Sequence, residues 1–290
     1  MDWERGSRRG NIEDRRGMRS GGGGGRMIGG SVGGLALGLI GYFLFGINPL
    51  VIMQMAEGIA PPAAQEGGRA GTPDDQMGRF VDAILTSTAD VWNVEFQKMG
   101  QRYREPAPLV LYEQATGTAC GTGQAAMGPF YCPPDTRIYI DLDFFRELGT
   151  RFNAPGDFAQ AYVLAHEVGH HVQNLLGASD RMRQLQRNAR SEAEANRYSV
   201  ALELQADCYA GVWAARAADV SGGRIALEAG DLQEGLRAAA AVGDDTLQRQ
   251  SRGRVVADSF THGSAEQRQR WLQTGYSSGN SAACDTFRGL

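Results

Sequence analysis

The chain has no excess of positive charge and no internal repeat. Its 290 residues include 29 lysines and arginines against 33 acidic residues, which gives a formal net charge of −4. Nucleic-acid-binding domains carry a basic patch and a high pI, so this composition excludes nucleic acid as the expected partner. Apolar residues make up 42% of the chain. That fraction is enough for one domain of about 200 residues to bury a core.

Cysteine is scarce as well. The chain has four cysteines: Cys120, Cys132, Cys208 and Cys284. An even number fits two disulfides in an oxidising compartment, and it equally fits four buried thiols in a reducing one. The count alone leaves both interpretations open, and the choice between them depends on where the chain resides.

An uncharged, apolar run extends from Met27 to Ile47. These 21 residues match the roughly 20 that a helix needs to cross a bilayer. Residues 1–26 carry seven arginines against four acids, and no basic residue follows the run until Arg69. Because Lys and Arg favour the cytoplasmic side, the sequence predicts a single-pass inner-membrane protein with a cytoplasmic N-terminus and an exported (periplasmic or extracellular) domain after the run. A cleaved signal peptide is the alternative, which the late start and the length of the run disfavour.

The domain organisation follows from composition. We predict a disordered cytoplasmic tail over 1–26, a transmembrane helix over 27–47, a linker over 48–75 and one domain over 76–290. The predicted fold class is α+β, mainly helical with a small sheet and preceded by the transmembrane helix. Apolar periodicity and capping residues predict helices over 77–99, 157–176, 191–218, 230–242 and 265–274. Strands are predicted over 108–115 and 137–145.

The motif HEVGH at 166–170 carries the clearest chemical signal. Three of the four histidines lie within six residues there. Positions i and i+4 of a helix share one face, so His166 and His170 can bind one ion, and zinc accepts imidazole nitrogen. Glu167 follows the first ligand and can take a proton from an attacking water, which is the metallopeptidase arrangement. Two histidines on an apolar helix need partners, and a metal provides them.

A catalytic zinc needs a third protein ligand. A third histidine at the metzincin spacing is absent, because position 176 is Leu176. The segment ELQAD at 203–207 supplies the next candidates, since Glu203 and Asp207 again share one helix face. Glu203 is the predicted metal ligand. Asp207 is predicted to accept a hydrogen bond from the second nitrogen of a ligand imidazole, which fixes its orientation.

The other two histidines have weaker signals. His171 lies about 100° around the helix from His170, so we do not expect it to bind the same ion. His262 lies in a loop-like stretch before a helix. It is either a surface or capping residue, or a catalytic residue that stabilises the oxyanion of the tetrahedral intermediate.

Several blocks of the sequence carry a family resemblance. They are NIEDRRG, AYVLAHEVGHHVQNLLG, ELQADCYAGVWA, GDDTLQ and DSFTHGSAEQRQRW. Together they resemble the bacterial neutral zinc metallopeptidase family, over most of the chain. The resemblance implies a zincin-like domain whose zinc is bound by His166, His170 and Glu203, with a Glu-xxx-Asp pairing similar to that of gluzincins. Ala257 departs from the proline expected there and lies away from the metal ligands.

The predicted function is hydrolysis of peptide bonds in a peptide or protein substrate, with zinc as cofactor and Glu167 as general base. The strand at 137–143 is interpreted as an edge strand to which an extended substrate can add, or else as a core strand. Two other functions stay open. One is a catalytically silent, zinc-bound scaffold or binding module of the cell envelope, and the other is an envelope amidase acting on a non-protein amide. The oligomeric state is not predicted.

The predicted export favours disulfides over free thiols. Cys120 and Cys132 are 12 residues apart across a loop that contains Gly and Pro. Cys208 follows Asp207 on the predicted metal helix, and Cys284 lies in a polar C-terminal tail that has no other evident anchor. We therefore predict the pairs Cys120–Cys132 and Cys208–Cys284.

Overall fold

The computed structural model describes residues 1–18, 68–124 and 128–290. Within these ranges the chain is mostly helical with a small sheet. The helices are α1 (Gln76–Lys98), α2 (Asp143–Thr150), α3 (Asp157–Leu176), α4 (Ala178–Arg187), α5 (Glu192–Ser221), α6 (Asp231–Ala241), α7 (Asp244–Arg252) and α8 (Ala265–Ser278). The strands are β1 (Ile12–Asp14), β2 (Arg69–Ala70), β3 (Leu109–Tyr112), β4 (Ala115–Thr118), β5 (Gly121–Gln124), β6 (Phe130–Cys132) and β7 (Arg137–Asp141).

Local capping sets the ends of the helices that carry the candidate site. Helix α3 ends at Gly177, whose φ of 78° is left-handed and suits glycine. Ser191 caps α5 by accepting a hydrogen bond from the Glu194 N–H at 3.2 Å. Ser264 and Gln267 form the predicted capping box at the start of α8. All five predicted helices are therefore present, with small shifts at their ends.

The main sheet has five strands in the order β2-β1-β3-β7-β6. Strands β1, β3 and β7 run parallel, and β2 and β6 pair antiparallel at the two edges. Both predicted strands are present as β3 and β7. The interpretation of 137–143 as an edge strand is wrong, because β7 lies between β3 and β6 and both of its edges are paired. Strand β6 is the edge strand on that side.

The N-terminal segment belongs to the folded domain. Strand β1 lies between β2 and β3, with Ile12 opposite Leu109. Trp3 is buried and packs edge-to-face on Phe80 of α1, with 5.2 Å between ring centroids. The predicted disordered tail is therefore wrong for residues 1–18. Two of its arginines, Arg15 and Arg16, are largely covered and pair with Glu13 and Asp14 at 2.7 and 2.8 Å.

The predicted transmembrane helix is the part of the fold-class prediction that the structure contradicts. Residues 27–47 lie outside the described residues, and none of the helices that the described residues form is long and apolar enough to cross a bilayer. Strand β1 precedes this run, whereas β2 and β3 follow it, yet all three share one sheet. A single membrane crossing would put β1 on the opposite side from its partners. The sheet therefore contains residues from both sides of the run 27–47.

The C-terminal part of the predicted linker, residues 68–75, belongs to the folded domain. Residues 48–67 lie outside the described residues. Strand β2 occupies Arg69–Ala70, and Asp75 caps α1 by accepting a hydrogen bond from the Gly78 N–H at 2.9 Å. The folded domain therefore includes residues from 68 onward, together with residues 1–18.

Helix α5 is the centre of the helical part, in contact with α1, α3, α4 and α8. Glycines bring α5 and α8 close together. A Cβ added at Gly275 would lie 1.9 Å from the carbonyl oxygen of Cys208, and one at Gly211 would lie 2.2 Å from that of Leu272. The backbones themselves are therefore in contact, and a larger residue at either position would separate the two helices.

Both predicted disulfides are confirmed. Cys120–Cys132 joins the turn between β4 and β5 to strand β6, and Cys208–Cys284 joins α5 to the C-terminal segment. The Cα atoms of the pairs are 5.9 and 5.6 Å apart, within the range that disulfide geometry requires. The second bridge fixes the polar tail to the helix that carries Glu203.

Candidate metal centre

Helix α3 presents two histidines on one face. His166 and His170 are one turn apart, and their ring centroids are 4.7 Å apart with the ring planes nearly perpendicular. His166 is buried and His170 is half-buried. The helix places both Nε2 atoms on the same side because its 3.6-residue period brings every fourth residue onto one face.

Helix α5 contributes Glu203 to the same point. Glu203 Oε2 lies 3.2 Å from His166 Nε2, and Oε1 lies 3.5 Å from His170 Nε2. One ligand atom from each of the three residues lies within 4.8 Å of the others. Zinc bonds of about 2.0–2.1 Å in a tetrahedral arrangement place neighbouring donor atoms roughly 3.3 Å apart. The donor types and their spacing therefore fit one zinc ion.

The approach of the two helices depends on a glycine inside the motif. Gly169 lies between the two histidines, and a Cβ added there would be 3.1 Å from the Cα and the carbonyl oxygen of Ala206. Ala206 is three residues beyond Glu203 on α5. A side chain at position 169 would therefore push α5 away from the histidines and lengthen the distances to Glu203.

His166 is held from behind by a buried acid. Asp207 is fully buried, and its Oδ1 lies 2.8 Å from His166 Nδ1. The Tyr162 hydroxyl also donates to Asp207 Oδ1, at 2.6 Å. This partner fixes the Nδ1–H tautomer and leaves the Nε2 lone pair free for a metal. The structure thus brings Asp207 to the position that the i, i+4 spacing predicts.

Arg268 of α8 completes this arrangement, and the sequence interpretation missed it. Its Nε donates to Asp207 Oδ2 at 2.8 Å and its Nη2 donates to Asp207 Oδ1 at 2.9 Å. Arg268 is itself buried. Burial alone would raise the pKa of Asp207, but the charge of Arg268 and the hydrogen bonds from Arg268 and His166 outweigh burial and bring it to about 2. Asp207 therefore stays ionised in the interior.

His170 has a neutral partner. Its Nδ1 lies 2.9 Å from Gln173 Oε1, on the same helix. Gln173 is fully buried, and its Nε2 donates to the Leu202 carbonyl oxygen at 2.6 Å and to Gln205 Oε1 at 3.2 Å. The two histidines are thus oriented by chemically different neighbours, one a carboxylate and the other an amide.

Glu167 is buried beside the two ligands, with 7% of its surface exposed. Burial raises the pKa of its carboxyl group, and the neighbouring His170 and His166 only partly oppose that effect. A carboxyl group whose pKa is raised toward neutrality is suited to accept and return a proton.

His262 lies at the site through a loop that Asp244 organises. Asp244 Oδ2 accepts hydrogen bonds from the backbone N–H groups of Thr261, His262 and Gly263, at 2.8, 2.6 and 3.0 Å. Asp244 Oδ1 lies 3.3 Å from His262 Nδ1. Burial lowers the pKa of His262, but Asp244 and Glu203 outweigh it and raise the pKa. Asp244 begins α7, and no local pattern pairs it with a histidine 18 residues later.

His171 points away from the two metal-ligand candidates. Its Nε2 is 2.7 Å from the Arg104 carbonyl oxygen, and its Nδ1 is 3.0 Å from the Tyr131 hydroxyl. Tyr131 also accepts a hydrogen bond from Asn174 Nδ2 at 3.1 Å. His171 therefore connects α3 to edge strand β6, in agreement with the prediction that it does not bind the same ion.

Fold and site together define a class of mainly helical domains in which an HExxH helix meets a Glu-x-x-x-Asp helix at a candidate metal centre. The chain belongs to the family described as "Putative neutral zinc metallopeptidase", whose model matches residues 1–287. The uncharacterized protein YpfJ of Escherichia coli is 47% identical over 295 residues and is covered over 99% of both chains. The uncharacterized protein Rv2575 of Mycobacterium tuberculosis is 44% identical over 216 residues, which are 72% of this chain and 71% of that protein. No solved structure matches the chain significantly.

Proposed function

We propose that the protein is a zinc-dependent peptidase that hydrolyses peptide bonds. The observation that carries the proposal is the convergence of His166 Nε2, His170 Nε2 and a Glu203 oxygen at zinc-ligand spacing, next to the buried Glu167. Bound zinc supplies a Lewis acid and lowers the pKa of water toward about 7. Family membership supports the choice of zinc and of a peptide substrate.

Glu167 is the proposed general base. Its carboxylate takes a proton from the attacking water and returns it to the amine that leaves when the peptide bond breaks. The raised pKa of the buried carboxyl group supports both halves of this transfer, because a more basic carboxylate accepts the proton more readily and its acid form can still donate it.

His262 is the proposed donor to the carbonyl oxygen on which negative charge develops. Its Nδ1 lies 3.3 Å from Asp244 Oδ1, and the ring is close enough to Glu203 for the carboxylate to raise its pKa. Asp244 holds the loop by three backbone hydrogen bonds and raises the pKa of His262, so the ring is more readily protonated. A preorganised, cationic donor is an effective way to stabilise an oxyanion. Asp244→Asn should therefore lower kcat more than it raises KM.

The structure also bears on the two alternative functions. A scaffold with a structural metal has no use for a buried, proton-accepting Glu167, and that observation favours an enzyme. An amidase acting on a non-protein amide would use the same residues, so only substrate profiling separates it from a peptidase.

We propose an oxidising compartment as the site of action. The two disulfides support this, because such bonds persist outside the cytosol and are rare within it. Because β1, β2 and β3 share one sheet, residues 1–18 and residues 68 onward would occupy that compartment together.

The test uses the full chain, since residues 1–18 are part of the fold. Zinc-loaded protein is incubated with a mixed peptide library and cleavage is read by mass spectrometry. Glu167→Gln should keep about one zinc per chain and lose several orders of magnitude in turnover. The matched control is Glu192→Gln, an exposed glutamate at the start of α5. Wild-type protein that binds zinc and cleaves neither peptides nor unfolded proteins would contradict the proposal.

A further inference from the structure

We propose that Gln173, Gln205 and the disulfide-anchored C-terminal segment form an amide chain that positions the metal ligand His170. The proposal rests on the zinc site proposed above. The residues it names act through His170 and do not touch substrate, so they are positioning residues. The chain of contacts runs from α3 through α5 to the segment that contains Cys284.

Each glutamine of this chain contacts one backbone carbonyl oxygen, which identifies the amide NH₂ group and so fixes the direction of the other hydrogen bonds. The Leu202 carbonyl oxygen can only accept, so the Gln173 atom 2.6 Å from it must be the amide NH₂ group. The other end of the same amide is then an oxygen, and it faces His170 Nδ1 at 2.9 Å. Nδ1 must therefore carry the hydrogen, so in the neutral ring that binds a metal the lone pair is on Nε2, 3.5 Å from Glu203 Oε1.

Gln205 extends the same logic to the C-terminal segment. Its Nε2 donates to the Cys284 carbonyl oxygen at 2.9 Å, so its Oε1 is the acceptor for Gln173 Nε2 at 3.2 Å. Cys284 is held in place by its disulfide to Cys208, which lies on α5 three residues after Gln205. The last link of the chain is thus covalently attached to the helix that bears Glu203.

Burial makes these contacts difficult to replace. Gln173 is 0% exposed, Cys284 is 1% exposed and Gln205 is 9% exposed. Water cannot readily substitute for a lost partner at such positions, so loss of one link frees the next amide to rotate. His166 Nδ1 contacts Asp207, which is paired with the charged Arg268. Among the described residues, His170 Nδ1 contacts Gln173, so its orientation depends on the neutral amide chain.

The experiment measures zinc affinity of the full chain by competition with a chromogenic chelator. Gln173→Met and Gln205→Met keep approximate side-chain shape and remove the amide hydrogen bonds. Loss of an outer partner of a metal ligand typically weakens metal binding by about 10–100-fold. We expect a weakening of that size for Gln173→Met and of about tenfold for Gln205→Met, which does not contact His170. The NMR signal of His170 Nδ1–H should also exchange with water faster in Gln205→Met.

The two disulfides provide a matched comparison. The double variant Cys208→Ala/Cys284→Ala should weaken zinc binding, because this disulfide holds the segment whose carbonyl oxygen accepts from Gln205. The control Cys120→Ala/Cys132→Ala should not, because that disulfide lies at β6 and is not part of the amide chain. If the first double variant fails to fold, Gln205→Met decides alone. Wild-type zinc affinity and unchanged Nδ1–H exchange in Gln205→Met would overturn this inference. A wild-type chain that binds no zinc would instead overturn the proposed function.

Discussion

Arg268 is the residue whose removal should do the greatest damage to the charged side of the site. The substitution Arg268→Met keeps the apolar stem and removes the guanidinium group that pairs with both oxygens of Asp207. Asp207 has no exposed surface, so its charge would be left with only His166 and Tyr162 as partners. Breaking a buried ion pair by removing one member costs about 3–5 kcal/mol. We expect a loss of that size in the free energy of unfolding.

The assay is urea unfolding of the zinc-free protein, so that metal binding does not enter the comparison. The double variant Arg268→Met/Asp207→Asn removes the unpaired charge as well and should recover part of the lost stability. Arg268→Lys, which keeps the charge but not the two-pronged geometry, should fall between wild type and Arg268→Met. A single variant within about 1 kcal/mol of wild type, or a double variant less stable than Arg268→Met, would refute this reasoning.

Three further predictions test the fold around the site. Gly275→Ala should lower the free energy of unfolding by about 1–3 kcal/mol or more, because the added Cβ would meet the Cys208 backbone. The control Ser277→Ala, at an exposed position of the same helix, should leave the stability unchanged in the same urea unfolding experiment. Ile12→Ala should cost about 2–5 kcal/mol by the same measurement, and no loss would show that β1 contributes nothing to stability. Burial raises the pKa of Glu13, but its hydrogen bonds from Arg15 and Arg137 outweigh burial and lower the pKa to about 2. The ionised Glu13 therefore stabilises the fold fully above about pH 4.5, and this stabilisation is lost as the pH falls through about 2. The stability difference between wild type and Glu13→Gln, of about 3 kcal/mol at most, should shrink over that range, and a constant difference would contradict it.

The residues that sequence could predict are those whose relation is set within one helix. His166, Glu167 and His170 form one motif on α3, and Glu203 and Asp207 repeat the i, i+4 spacing on α5. For such pairs the helix period determines the geometry, so the candidate ligands could be assigned before any tertiary contact was known. The disulfide pairs also followed, because Cys120 and Cys132 are only 12 residues apart and the tail around Cys284 had no other evident anchor.

The residues that sequence could not predict contact the site from other elements. Arg268 reaches Asp207 across 61 positions, and Asp244 holds His262 across 18. Neither has a local pattern, since an arginine on an amphipathic helix and an aspartate in a first turn are usually solvated. Gln173 was given no role, because an amide side chain shows its partner only in three dimensions.

The N-terminal segment was mispredicted for a related reason. Composition alone reads a stretch rich in Gly and Arg as disordered, and a three-residue strand is too short to show alternation. Strand β1 is held by parallel pairing with β3, whose residues lie 97 positions later in the chain. The transmembrane prediction came from the length and apolar character of the run 27–47, and the assignment of the tail and the domain to opposite sides followed from it. Nothing in the sequence indicated that strands from both sides of the run pair in one sheet.

The charges at the site explain why its two histidines have different supports. Glu203 is a half-buried ligand candidate, Glu167 is buried next to His166, and Asp207 is a third, fully buried acid on the same helix as Glu203. Three carboxylates around one divalent ion would leave an uncompensated negative charge, which is costly where the surroundings have a low dielectric constant. Arg268 cancels the charge of Asp207, so Glu203 and Glu167 together balance a doubly charged ion. A second carboxylate behind His170 would disturb that balance, and the neutral Gln173 orients the ring without adding charge.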